Sequence, residues 1–240
     1  MRLNGLLGFA LLAFVAACGK ADLVDQQASA LGAFPKGQTL MLTGTVTEPT
    51  YSGDIVWRAM RPDLMRFQLS LGPDQSYEQG WDGKKSWEKP VANEKPYETK
   101  GAVRDAVKRD AAWLGNYRPL KEFKKLGAIV QERDPEMIDG VAFDKIEVTF
   151  PEGDTASFYL DRTSHLVVRS RMRKALHPSA NEPPEELETI LEDWRKIGKL
   201  NVAFRETVRE VATGKVVQTV QWKQAMWEPA DKKSYAMPKK

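Results

Sequence analysis

Apolar and polar residues alternate along most of the chain from Gln38 onward. Leu40 and Leu42 alternate with threonines, and Met65 and Phe67 alternate with polar residues. A period of two places every second side chain on the same face of a β-strand. Runs of this kind recur to the end of the chain, and together they predict about eleven or twelve strands with one apolar face each.

The period changes to that of a helix in the middle of the chain. Between Gly101 and Tyr117 the apolar residues fall on one helical arc. Pro119 ends this helix, and Leu120 to Leu126 predicts one or two further turns closed by a glycine. A shorter helix is predicted from Asp22 to Leu31.

Short turns connect most of the predicted strands, so neighbouring strands run antiparallel. One of these connections, Asp82-Gly83, is typical of a two-residue hairpin. Twist accumulates over so many strands, and the result is either a closed barrel or an open half-barrel. The apolar face of the central helix must be buried, and the concave side of an open sheet offers the place. The sequence therefore predicts a mainly β fold with minor α: a strongly curved antiparallel sheet forming an open half-barrel, with helices packed in its concave face.

The N-terminus resembles the signal of a bacterial lipoprotein. The apolar run from Leu6 to Val15 is too short to span a bilayer, which takes about 20 residues. It has the length of the hydrophobic region of a secretory signal. Val15-Ala16-Ala17-Cys18 resembles a lipobox, which implies cleavage before Cys18 and acylation of that residue. The alternative is an ordinary signal peptide with a chance cysteine nearby, although Cys18 is the only cysteine in the chain.

This interpretation divides the chain into a signal peptide (1–17), a lipid-anchored segment (18–37) and one half-barrel domain (38–240). Gly19 follows the lipidated residue. Under the enterobacterial sorting rule, aspartate at this place would retain a lipoprotein in the inner membrane. We therefore expect attachment to the outer membrane, facing the periplasm, rather than to the inner membrane.

Composition excludes several classes of function. A net charge of +3 is too small to indicate a nucleic-acid partner. The only two histidines, His165 and His177, do not stand in a metal-ligand spacing with other residues. The sequence has no G-x-S-x-G motif and no phosphate loop. Ser86-Trp87-Glu88-Lys89 matches the S-x-x-K pattern, but we interpret the match as chance, because positions three apart on a strand point to opposite faces. We expect a monomer that is not an enzyme and needs neither a cofactor nor a metal.

Four short motifs carry a resemblance to a known family. They are Gly80-Trp81-Asp82-Gly83-Lys84-Lys85-Ser86-Trp87 with Pro90, Ile138-Asp139-Gly140-Val141-Ala142, Phe158-Tyr159-Leu160-Asp161-Arg162, and Glu192-Asp193-Trp194-Arg195 with Ile197-Gly198. In this order they resemble the outer-membrane lipoprotein-sorting superfamily, with the LolA and LolB type of fold. The motifs consist mainly of hairpin residues, so they indicate fold more directly than function.

The resemblance implies a helical lid over an apolar cavity that holds acyl chains. The protein would then bind or transfer a lipid or an acylated lipoprotein. The candidate cavity or lid residues are Val103, Val107, Trp113, Leu114 and Tyr117. Two alternatives stay open: such residues can fill a close-packed core, and the same fold can serve as an anchored periplasmic interaction or sensor module.

A row of basic residues is a second candidate site. Arg169, Arg171 and Arg173 lie on one face of a predicted strand. Such a row can dock an anionic lipid or an acidic partner. It can equally be a solvent-facing surface balanced by acidic residues on the neighbouring strands.

The lipobox-like motif yields a direct prediction. Replacing Cys18 with alanine removes the thiol that would be acylated, so the variant should remain uncleaved or be released from membranes. Metabolic labelling with a palmitate analogue measures this. Label retained on the Cys18→Ala variant would contradict the assignment.

Overall fold

The computed structural model describes residues 22–90, 94–180 and 182–239. Cys18 and the predicted signal peptide lie outside these residues. Most of the described chain forms one antiparallel sheet, and the predicted mainly β fold is confirmed. No helix of the described residues is long and apolar enough to cross a membrane.

Thirteen strands are present in the described part of the chain. They are β1 (Gln38–Glu48), β2 (Tyr51–Met60), β3 (Leu64–Gly72), β4 (Gln75–Trp81), β5 (Ser86–Lys89), β6 (Tyr97–Glu98), β7 (Ile129–Ile138), β8 (Val141–Thr149), β9 (Thr155–Leu160), β10 (Val167–Lys174), β11 (Glu185–Ile197), β12 (Leu200–Glu210) and β13 (Val216–Pro229). The α-helices are α1 (Leu23–Leu31) and α2 (Gly101–Trp113). Short 3-10 helices cover Leu120–Leu126, Pro178–Ala180 and Lys232–Tyr235.

The sheet consists of two meanders joined along one pair of strands. Its order is β6-β5-β4-β3-β2-β1-β13-β12-β11-β10-β9-β8-β7, so only the β1–β13 pair joins strands distant in sequence. The edge strands β6 and β7 are not paired with each other, and the sheet stays open. The connection between these two edges contains α2 and the Leu120–Leu126 helix.

This connection covers the concave face of the sheet. Val107 and Leu114 pack in one buried cluster with residues of β1, β2, β12 and β13. Trp113 and Phe123 belong to a second cluster with residues of β8 and β9. The indole of Trp113 stacks on Phe150 at 5.6 Å between ring centroids. The predicted position of the helices inside the half-barrel is therefore confirmed.

Helix α1 packs beside the Leu120–Leu126 helix. Asp22 caps α1, since its carboxylate accepts a hydrogen bond from Val24 N at 2.9 Å. The buried amide oxygen of Gln27 accepts a hydrogen bond from Leu120 N at 3.0 Å. Just after α1, a Cβ on Gly32 would stand 2.0 Å from the carbonyl oxygen of Lys199, so this close approach requires glycine.

Two local predictions differ from the structure. Helix α2 ends at Trp113 rather than at Tyr117, because Leu114 takes a left-handed conformation with φ of 51°. The Asp82-Gly83 connection is a four-residue turn instead of a two-residue one. Its geometry comes from the Asp82 carboxylate, which accepts hydrogen bonds from the backbone N–H groups of Lys84 and Lys85 at 2.8 Å each.

The β7–β8 hairpin reaches across the outer face of the sheet. The register of the pair shifts between Arg133 and Glu136, where Pro135 lies. Although β7 is three strands away from β10, Glu136 Oε1 accepts a hydrogen bond from Arg171 at 3.1 Å. At the hairpin turn, the carboxylate of Asp139 accepts from Arg169 at 2.9 Å. The hairpin thus covers part of the convex surface.

Glu188 of β11 is the centre of the charges below this hairpin. Its side chain is 0% exposed, and it pairs with Arg169 at 3.2 Å, Arg171 at 2.9 Å and Arg209 at 2.5 Å. A buried carboxylate needs such partners, because removal from water is costly for an unpaired ion.

Removing this charge should destabilise the fold. Glu188→Gln leaves three guanidinium groups without their shared anion, and we expect a loss of about 3 kcal/mol in the free energy of unfolding. The control is Glu192→Gln on the same strand, whose exposed pair with Arg205 at 3.6 Å contributes about 0.5 kcal/mol or less. Urea unfolding measures both, and equal losses would contradict the central position of Glu188.

Candidate functional site

A cavity of about 490 Å³ lies between α2 and the concave face of the sheet. Volumes of about 300–1,000 Å³ are typical of pockets that hold small ligands. Apolar side chains of the first three strands form one wall: Leu42, Val46, Ile55, Trp57, Met65, Phe67 and Leu69. The helix α2 and the segment that follows it form the opposite wall.

The segment after α2 closes one side of the cavity against Trp57. Tyr117 meets the Trp57 ring edge-on, with 6.0 Å between the centroids. Gly115 has φ of 59°, and a Cβ there would come within 2.6 Å of the Trp57 ring. Only glycine satisfies both the backbone angle and this contact.

Four of the five predicted cavity or lid residues line this space. They are Val103, Val107, Trp113 and Tyr117. The fifth, Leu114, is fully buried in the core cluster that contains Val107 and does not line the cavity. Trp113 lines the cavity and also belongs to the core, because its ring packs against Phe123, Phe150 and Phe158. The concave face therefore combines close-packed core with open space.

Polar residues surround part of the cavity rim. Glu48 lies at the end of β1, and its Oε2 is 2.9 Å from His177 Nε2. The other oxygen of this carboxylate accepts a hydrogen bond from Gln218 at 2.7 Å. His177 comes from the loop between β10 and β11. Its role in the rim depends on a contact with a residue 129 positions away.

A second polar group lies near the loop that carries His177, since Tyr77 interacts with Ser179 of that loop. Glu88 of β5 is buried and accepts hydrogen bonds from Tyr77 at 2.7 Å and from Tyr97 at 2.9 Å. Burial and the nearby carboxylate raise the pKa of the Tyr77 phenol above its usual value, so it stays a donor. Strand β6, which carries Tyr97, was not predicted because it has only two residues.

Glu206 of β12 is a half-buried ionisable group on the wall of the cavity. Its Oε1 accepts a hydrogen bond from Trp222 Nε1 at 2.9 Å, and Oε2 has no hydrogen-bond partner among the described residues. Burial raises the pKa of this carboxyl, while the Trp222 donor and the charge of Lys174 act in the opposite direction. The alternation along β12 places Glu206 on the same face as Phe204 and Val208, and this signal was missed in the prediction of site residues.

The predicted arginine row lies on the outer face of the sheet, away from the cavity. Arg169 and Arg171 are engaged by Glu188, Asp139 and Glu136 within the protein. Arg173 is exposed and stands opposite Glu186 in the register of β10 and β11. This arrangement favours the alternative of a surface balanced by neighbouring carboxylates. Within the described ranges, no three potential metal-ligating side chains cluster.

The described geometry defines a class of protein: an open antiparallel half-barrel whose helices cover an apolar cavity. Solved structures of this class include the LolA superfamily protein NE2245 from Nitrosomonas europaea, with a TM-score of 0.59 and 10% identity over 89% of this chain and 96% of that chain. The predicted resemblance to this superfamily is confirmed at the level of fold.

Two further structures share the fold. A domain from Vibrio parahaemolyticus described as an outer membrane lipoprotein-sorting protein has a TM-score of 0.56 and 8% identity, covering 88% of this chain and 94% of that one. A DUF1329 family protein from Desulfovibrio piger also has a TM-score of 0.56, with 11% identity over 86% of this chain and 90% of its own. No family profile and no curated protein matches the sequence.

The buried carboxyl makes stability depend on pH. The pKa of Glu206 is raised in the folded state, so the folded protein holds this proton more tightly than the unfolded chain. Below the unfolded-state pKa of about 4.5 the carboxyl is neutral in both states and does not destabilise the fold. As pH rises through the folded-state pKa, the free energy of unfolding decreases. Glu206→Gln should therefore gain stability relative to the wild type between pH 4 and pH 8.

Urea unfolding at both pH values measures this change. Trp222→Phe is the matched variant, because it removes the hydrogen bond that favours the ionised carboxyl. In this variant the loss of stability with rising pH should continue to a higher pH than in the wild type. An identical pH dependence of Glu206→Gln and wild type would contradict the assignment.

Proposed function

We propose that this chain is a lipid-anchored protein of the bacterial cell envelope that binds, and passes on, a lipid or an acylated protein. An acyl chain of the ligand occupies the cavity beneath α2, and no covalent chemistry is involved. One observation carries the proposal: a partly open cavity of about 490 Å³ with largely apolar walls lies between a helix and the concave sheet.

Burial of an acyl chain in this space supplies the binding energy. Each methylene transferred from water contributes about 0.8 kcal/mol. Eight buried methylenes would contribute about 6 kcal/mol, part of which offsets the loss of ligand freedom. Met65 on the wall supports this use, since methionine repacks easily around irregular ligands.

The attachment of α2 supports its role as a movable cover. The helix begins at Gly101, with φ of 57°, and has no side-chain cap at its N-terminus. Its exposed ion pairs with the β8–β9 turn, Lys108 with Glu152 at 3.5 Å and Arg109 with Asp154 at 3.0 Å, are weak restraints. The buried side chains of Val107, Ala111 and Trp113 hold the C-terminal part of α2 in place, so movement of the helix would begin at its N-terminal end.

Two independent observations support a location of this protein in the cell envelope. The first is the lipobox-like run that ends at Cys18. The second is the fold, which this chain shares with a protein described as an outer membrane lipoprotein-sorting domain. We infer attachment through Cys18 to the outer membrane, with the half-barrel in the periplasm.

Ligand uptake tests the proposal. A soluble chain of residues 19–240 should take up a fluorescent fatty acid or a naphthalene sulfonate dye in its native state. Val107→Trp fills the cavity from α2 and should lower this uptake about tenfold or more, because the added ring displaces the ligand. Lys108→Trp is the control, since Lys108 is exposed on the same helix.

Fluorescence titration measures uptake, and far-UV circular dichroism verifies that both variants keep their β-structure. Equal uptake by Val107→Trp and Lys108→Trp would place the dye outside the cavity. Absence of binding to the folded wild-type chain would favour the anchored interaction module instead.

A further inference from the structure

The packing of the sheet accounts for only one oxygen of Glu206, which accepts a hydrogen bond from the buried Trp222 indole. In the register of the strands it stands between Leu191 on β11 and Val220 on β13, both buried. Val208, two residues further along β12, also lines the cavity. An aliphatic residue would match these neighbours and avoid the cost of burying a carboxyl group, but it would leave the Trp222 N–H without its acceptor.

The hydrogen bonds of Glu206 are incomplete. Trp222 Nε1 donates to Oε1, and Oε2 lacks a partner among the described residues. Because the side chain lines the cavity, its free oxygen is accessible from the space that a ligand would fill. Glu206 is only half-buried, so this oxygen faces the open space of the cavity and can bond to a ligand that enters it.

We propose that Glu206 is a recognition group inside the cavity, and that the natural ligand carries an ester or amide carbonyl which accepts a hydrogen bond from the Glu206 carboxyl. This inference rests on the proposed function and narrows its ligand class. Acyl lipids and acylated proteins carry such a carbonyl at the head of each acyl chain. The chain then fills the apolar space while the carbonyl satisfies the buried carboxyl.

The protonation of Glu206 agrees with the role of donor. Burial in an apolar wall raises its pKa and favours the neutral acid. A neutral carboxyl has one O–H donor, and the Trp222 N–H already engages the other oxygen. The Oε2–H group of the neutral acid is therefore available to donate to the ligand, and its partner must be an acceptor such as a carbonyl oxygen.

Other titratable groups share the cavity and must be separated from Glu206. Lys174 of β10, His177 of the following loop, Asp110 of α2 and Tyr117 after α2 all line it. Lys174 favours the ionised form of Glu206, which would bind a cationic amine rather than a carbonyl. The two ligand classes predict opposite effects of pH, because the carbonyl needs the neutral acid and the amine needs the carboxylate.

The test compares three probes of similar length: methyl decanoate, undecane and decylamine. Residues 19–240 hold every strand, helix and buried cluster described above, and far-UV circular dichroism verifies the fold of each variant. Displacement of a cavity-bound dye between pH 5 and pH 8 gives the relative affinities. We expect methyl decanoate to bind the wild type more tightly than undecane, and less tightly as pH rises.

Two variants isolate the carboxyl. Glu206→Gln retains an N–H donor, so the affinity for methyl decanoate should stay within about threefold and lose its pH dependence. Glu206→Met fills the same volume without a donor and should lose about tenfold in affinity for methyl decanoate, the effect of one hydrogen bond. Undecane should bind both variants as it binds the wild type.

The outcomes separate this inference from the function on which it rests. If no probe binds the folded chain, the proposed function fails. If undecane binds but Glu206→Met retains full affinity for methyl decanoate, only the role of Glu206 is overturned. A pH dependence that persists in Glu206→Gln, or a preference for decylamine that grows with pH, also overturns it.

Discussion

The apolar concave face of the curved sheet is the constraint on which the rest of the structure depends. The thirteen twisted strands of the described chain create a surface that cannot face water. The connection between the two edge strands covers it together with α1 and the residues after it. The Leu120–Leu126 helix and Trp113 fill one part completely through the cluster around Phe150 and Phe158. Helix α2 bridges the remainder without filling it, and the cavity is what is left below it.

The carboxylate on the outer face of the sheet is fully paired, whereas the one on the inner face is not. On the outer face, Glu188 is buried beneath Arg169, Arg171 and Arg209, so its charge is matched by neighbours on adjacent strands. On the inner face, Glu206 has one indole donor and an unengaged oxygen. The matched charge serves stability, whereas the unmatched group costs stability and is available for recognition. Proteins often retain such local costs at functional sites.

Binding and stability are linked through the same few residues. Filling the cavity would replace the missing contacts of Val107 and Trp57 and satisfy Glu206, so a bound ligand should stabilise the closed position of α2. The positive φ angles of Leu114, Gly115 and Asn116 allow the chain to turn sharply from α2 to Tyr117. Fold and proposed function thus depend on one short segment.

The sequence by itself determined the local elements and their order. Alternation along β1 and β3 and the helical arc from Val103 to Trp113 are local patterns, and each follows from side-chain periodicity. The hairpin at Asp82-Gly83 was predicted, but its turn length and the end of α2 at Leu114 were not, because they depend on side-chain hydrogen bonds and left-handed backbone angles. Only the tertiary structure decided that Leu114 is core while Val107 lines a cavity, and that Arg169 meets Glu188. These distinctions depend on the distances between strands far apart in the chain, which no local pattern specifies.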